Sequence, residues 1–88
     1  MGALALGGIA DAFTELNQLE DALGYYKKAA NYADNDMTKP RFLLKAAQVA
    51  LSLNFKSDAE LMLETLASDY AETPQAKHVE VLLAQAQN

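Results

Sequence analysis

The sequence predicts an all-α fold of five helices: two antiparallel helix hairpins followed by a terminal helix. Three observations carry this. Apolar residues recur at spacings of three and four, the helical period, and no run of alternating β-branched residues is present. Breakers cut the 88 residues into five segments joined by links of no more than about six residues, short enough to force antiparallel neighbours. The first pair of segments also repeats in the second pair, with Asn17 matching Asn54 at an offset of 37 residues.

The first segment runs over 3–16, with Leu6, Ile9, Ala10 and Phe13 on one stripe. Asn17 and Gln18 break it. The second runs over 19–33, and Ala22, Leu23, Tyr26, Ala29 and Ala30 form its apolar face. Asn17 with Glu20 three residues on has the spacing of a capping box. The polar stretch 33–39 separates the hairpins. The third segment runs over 40–53, with Pro40 in the first helical position, where no N–H is needed. The fourth runs over 58–70 behind the Ser-x-x-Glu box of Ser57 and Glu60. The fifth runs over 74–86, with Thr73 as its N-cap and Pro74 first. Its stripe is Ala76, Val79, Leu82, Leu83 and Ala86, with Lys77, Glu80 and Gln85 outward.

The internal repeat sets the organisation. Ala10 and Ala22 in the first unit become Ala47 and Ala59 in the second, small residues where the two helices of each hairpin cross closely. Tyr26 and Ala29 become Leu63 and Leu66. The first unit, with Leu6, Ile9-Ala10, Phe13, Ala22, Tyr26 and Ala29, resembles a tetratricopeptide repeat. It departs from that pattern at Leu6, where tryptophan is usual, and at Asp34, where proline is usual. The second unit keeps the small crossing residues and replaces aromatics by aliphatics. The resemblance implies a right-handed superhelix, an α-solenoid, with repeats at 3–34 and 40–71 and a capping helix at 74–87. Residues 25–30, 33–36, 44–47 and 70–76 are further similar to the C-terminal part of a membrane-anchored periplasmic family of such repeats, best known in Bacteroidetes. Its members look like ancillary subunits of the protein-export channel. That likeness implies a chain cut from a longer parent, on the periplasmic side of the inner membrane, with the cytoplasm as the alternative. The start of the chain, which opens mid-pattern, reads the same way.

Composition excludes several functions. Half the residues are apolar (51%) and 22% are charged, which fits a folded soluble domain rather than a disordered one. The formal charge of −5 opposes nucleic acid and anionic lipid. No cysteine is present, which removes disulfides and thiolate metal sites, and a single histidine removes His-rich centres and most His-based triads. The longest dense apolar stretch, 42–53, is interrupted by Lys45, Gln48 and Ser52 and is too short to span a bilayer. No enzyme, cofactor or metal is expected.

The motifs that mimic chemistry fail on inspection. Asp34-x-Asp36-x-Thr38 begins like a calcium loop, but Lys39 and Lys45 occupy the glycine and bidentate glutamate positions. Gly7-Gly8 follows no strand and lacks the phosphate-cradle spacing; small residues that allow close approach explain it more simply. His78 lies off the apolar stripe with no acidic neighbour four residues away. Asp11 and Glu15 form a solvated acidic pair, attractive at most to a basic peptide. Tyr26 belongs to the core, and Tyr25 and Tyr32 to partly exposed packing.

The repeat resemblance implies a partner-binding concave face on the first helix of each unit. Carried onto this chain, it comprises Leu4, Gly7, Asp11, Thr14 and Glu15, then Arg41, Leu44, Gln48, Leu51 and Ser52. Leu44 and Leu51 lie two turns apart and, if open, would anchor a peptide or amphipathic helix. The expected function is therefore a protein-interaction scaffold for peptide or helical segments of other proteins, in the family reading for envelope export or folding. The alternative is a structural cap of a longer stack, with Leu44 and Leu51 sealed by the fifth helix. Gly7 and Asp11 disfavour a carboxylate-gripping groove. The outer surface of the first helix is expected to drive self-association.

Overall fold

Two asparagines in the left-handed region organise the chain. In the computed structural model, which describes residues 1–87, the elements are α1 (Ala3–Glu15), α2 (Leu19–Tyr32), α3 (Thr38–Ser52), α4 (Lys56–Asp69), a 3₁₀ turn (Pro74–His78) and α5 (Val79–Gln87). All are helical, and no strand occurs among the described residues. Asn17 (φ 58°) joins α1 to α2, and Asn54 (φ 63°) joins α3 to α4. The two turns carry the same backbone bonds. Asn17 N–H donates to Thr14 C=O and Gln18 N–H to Phe13 C=O, at 3.0 and 2.8 Å. Asn54 N–H donates to Leu51 C=O and Phe55 N–H to Ala50 C=O, at the same two distances. This is the paired closure of a helix C-terminus by a left-handed residue. Its recurrence at an offset of 37 residues makes the two hairpins alike in backbone as well as in sequence.

The turns also correct the expected caps. Asn17 is not the N-cap of α2: its backbone closes α1, and α2 has no side-chain cap. The Ser57–Glu60 box does not form either. Once Asn54 has reversed the chain, Phe55 C=O accepts from Ala59 N–H, so α4 is under way at Lys56, before Ser57 can cap it. Likewise α3 starts at Thr38, two residues before Pro40, because the Asn35 side-chain carbonyl accepts from Met37 and Thr38 N–H at 3.0 and 2.7 Å. Thr73 precedes the 3₁₀ turn, but its hydroxyl donates back to Tyr70 C=O at 2.7 Å rather than capping.

The left-handed turns make a matched prediction. Asn17→Ala and Asn54→Ala should each cost about 1 kcal/mol, because an alanine Cβ is strained there, whereas glycine at either site should cost little. Urea unfolding of the four variants checks it; alanine and glycine behaving alike would contradict it.

Alanine sets the spacing of the helices. Ten of the eighteen buried apolar residues are alanine. Ala10, Ala22, Ala47 and Ala59 are all fully excluded from solvent. Ala10 and Ala22 share one core cluster, as expected, whereas Ala59 joins that cluster and Ala47 the other, so the second hairpin does not repeat the expected alanine pair. Apart from the Tyr26 hydroxyl, which reaches the surface carboxylate of Asp11, the buried side chains carry no polar groups among the described residues, so the interior is held mainly by packing. One cluster joins Leu6, Leu23, Tyr26, Phe42 and Val49 across α1, α2 and α3. A second joins Ala47, Leu63, Leu66 and Val79 across α3, α4 and α5. Helix α3 enters both, which is why its sequence is apolar nearly all round.

The helices lie in two layers. Helices α1, α3 and α5 form one, and α2 and α4 the other. Gly7 of α1 lies against the Phe42 ring of α3, and Lys27 of α2 pairs with Asp58 of α4 at 2.7 Å. The principal extents of 30 × 28 × 16 Å fit a slab two interlocked helices thick.

Candidate functional site

The clearest concavity near the predicted face is a shallow cleft between α1 and α3, with α2 residues in its lining. It has a volume of about 300 Å³. Thr14 forms one wall, and Lys45, Gln48 and Ser52 of α3 form the other. Leu19, Val49 and the phenol of Tyr26 make its apolar base. The reason lies in register. On α3, Lys45, Gln48 and Ser52 recur at three and four and so share one face. The Gly7–Phe42 contact holds α1 and α3 close at one end; an added Cβ at residue 7 would run into the Phe42 ring.

Asp11 closes the upper rim. Its carboxylate accepts from the Tyr26 hydroxyl and, at 3.1 Å, from Lys45 Nζ. The Lys45 ammonium also stands 5.6 Å from the centre of the Tyr26 ring. The Tyr26 bond, opposed by partial burial and helped by Lys45 and Arg41, lowers the Asp11 pKa from its ordinary value. Burial, then the bond to Asp11, raises the Tyr26 pKa. Asp11 is thus not the free acidic surface expected from sequence. Asp11 is paired with Lys45 and lies within the field of Arg41, and the formal charges of Asp11, Glu15, Arg41 and Lys45 sum to zero, so the formal −5 resides elsewhere. That removes the electrostatic reason for a basic peptide here.

The Asp11–Tyr26 pair gives stability a pH window. A carboxylate with a lowered folded pKa contributes stability above about pH 4, lost as the pH falls through the folded value. A phenol with a raised folded pKa contributes stability below about pH 10, lost as the pH rises through the folded value. The contribution of this pair is expected to be constant between these limits. Tyr26→Phe should reduce both slopes, as read by urea midpoints at acid, neutral and alkaline pH. Slopes unchanged in Tyr26→Phe would contradict the pairing. The Lys45–Asp11 coupling should stay below about 1 kcal/mol, since both side chains are over one-third exposed.

The other predicted residues separate into three groups. Thr14, Gln48 and Ser52 line the cleft. Glu15 and Arg41 are exposed beside it. Leu44 and Leu51 are half-buried and absent from its lining. Leu44 packs on the cluster that contains Val79 of α5, and Leu51 packs on the first cluster. The apolar anchor expected from this pair is therefore engaged in packing, about a quarter-turn round α3 from the cleft. Gly7 is buried, so it spaces helices rather than meeting a ligand. Sequence reasoning missed Lys45, Leu19 and Val49. The spacing of Lys45 to Gln48 and Ser52 on one helical face was the available signal.

Hydrogen-bonding capacity in the cleft is uneven. Thr14 Oγ1 donates to Ala10 C=O at 3.0 Å, and Ser52 Oγ to Gln48 C=O at 3.2 Å. The Gln48 amide has no protein partner among the described residues and offers both donors and an acceptor. No group of His and carboxylate side chains converges as metal ligands, and no helix is long and apolar enough to cross a membrane, among the described residues. Comparison with protein-family models, curated proteins and solved structures finds no match.

Proposed function

We propose that this chain is a non-catalytic protein-interaction module of the tetratricopeptide-repeat type, with a right-handed stack of hairpins, and that it holds an extended peptide segment of another protein between α1 and α3. The single observation that carries the reading is the cleft: an apolar base of Leu19, Val49 and Tyr26 beneath the unpartnered Gln48 amide. An amide that both donates and accepts suits a peptide backbone, and an apolar base suits one aliphatic side chain of that segment. The cancelled charges favour an uncharged segment over an acidic or basic one. No cofactor is invoked.

One observation favours the alternative, a structural cap. Leu44 packs against the cluster of Ala47, Leu63, Leu66 and Val79 where α3, α4 and α5 meet, so part of the α3 face expected to bind is taken up by core packing. The test is selection from a random-peptide display library on the immobilised protein, beside a variant with Gln48→Arg and Ser52→Tyr. Both sites are exposed, so the variant should fold. Enrichment of a consensus by the wild type, reduced at least about tenfold in the variant, supports the binding cleft. No enrichment, or equal enrichment, leaves the cap.

A further inference from the structure

The outer face of α1 is apolar and uncovered. Leu4 and Leu16 are 68% and 66% exposed, with Gly8 and Ala12 exposed between them at four-residue steps. The repeat shows what such a face does when it is covered. At the 37-residue offset Ala5, Ile9, Ala12 and Leu16 correspond to Phe42, Ala46, Val49 and Leu53 of α3. There, Phe42, Ala46 and Val49 are buried in the cluster shared with α2, and Leu53 packs on it. On α1 the same register meets no helix. The flanking positions differ as well: α3 carries Arg41 and Lys45 where α1 carries Leu4 and Gly8. The apolar stripe is thus wider on the helix that nothing covers, the reverse of what a solvent-facing helix requires.

We infer that this face binds a second copy of the chain, with the two α1 helices packed antiparallel about a two-fold axis. The face is complementary to itself. Leu4 and Leu16 lie symmetrically about Ala10, roughly 18 Å apart along the helix, and Gly8 and Ala12 lie symmetrically inside them. In an antiparallel pair Gly8 meets the other copy's Ala12, which lets the backbones approach. Leu16 of each copy then reaches the N-terminal end of the other's α1. A hollow of about 390 Å³ lies there, with Leu4, Ala5 and the 66% exposed Tyr32 among its walls. Each copy supplies a projecting leucine at one end and a hollow at the other, as a closed two-fold contact demands. One helix face and one hollow make a contact smaller than the roughly 800 Å² per partner of a standard stable interface. The dimer is therefore weak and exchanges rapidly. Each copy carries −5, so salt strengthens it by screening repulsion.

Sedimentation equilibrium from about 10 μM to about 1 mM, at two salt concentrations, tests this. The expected mass rises toward twice the monomer, earlier at the higher salt. A Leu4→Glu/Leu16→Glu variant should remain monomeric with unchanged thermal unfolding, since both residues project into solvent in the monomer. Leu61→Glu on the outer face of α4 should dimerise as the wild type does. A wild type monomeric throughout, a mass that climbs past two copies, or a double variant that associates like the wild type would each overturn the inference. The first of these would leave the face to a helix of a different protein.

Discussion

Leu63→Ala is expected to lower stability by about 2–5 kcal/mol, the usual cost of emptying a fully buried leucine site. Leu63 has no exposed surface and sits with Ala47, Leu66 and Val79 where α3, α4 and α5 meet. The neighbours include an alanine on a helix fixed by its other contacts, so the site has little freedom to collapse. A small domain has only about 5–15 kcal/mol of stability in all. The loss should therefore appear as a fall of roughly 10 °C or more in Tm. Leu61→Ala, two residues away and 65% exposed, is the control and should stay within about 0.5 kcal/mol of wild type. Equal effects at the two positions would show that α4 does not pack with the face described.

Gly7→Ala is expected to destabilise, although alanine is the better helix former by about 1 kcal/mol. The added methyl would collide with the Phe42 ring, and that ring is itself buried and stacked on Tyr26 at 6.5 Å. Displacing it moves α3 relative to α1, for a net loss of about 1–3 kcal/mol. Gly8→Ala has open space around the new Cβ and should instead stabilise by about 0.5–1 kcal/mol. Opposite signs at adjacent glycines are the signature to look for in denaturant unfolding. Phe42→Leu should recover part of the Gly7→Ala loss by giving the methyl room. Stabilisation by Gly7→Ala would contradict the close approach of α1 and α3, and with it the shape of the cleft.

The all-helical order could be read from the sequence because the apolar period, the short links and the alanine pairs 10/22 and 47/59 agree with one another. Helix starts were less legible. Ser57 and Glu60 have the letters of a capping box, yet the turn at Asn54 starts α4 two residues too early for it to form. The same turn explains why Asn17 and Asn54 recur: the constraint is a left-handed backbone, not a side-chain cap. Half of the face expected to bind a partner came out differently for a related reason. A heptad spacing places Leu44 and Leu51 together but does not say which neighbour they meet, and the two pack on different core clusters, Leu44 on the one where α3, α4 and α5 meet and Leu51 on the one shared with α1 and α2. The link from Asp11 to Tyr26 and Lys45 was illegible, since it joins residues 15 and 34 positions apart on three helices. Such pairs depend on how hairpins stack, which local periodicity does not encode.

The most direct test of the proposed binding cleft is amide chemical-shift mapping of the labelled protein against a peptide enriched by display. The account predicts perturbations centred on Thr14, Leu19, Lys45, Gln48 and Ser52, with α4 and the outer face of α1 unmoved. Perturbations centred on Leu61 and the outer face of α4, with the cleft silent, would contradict it.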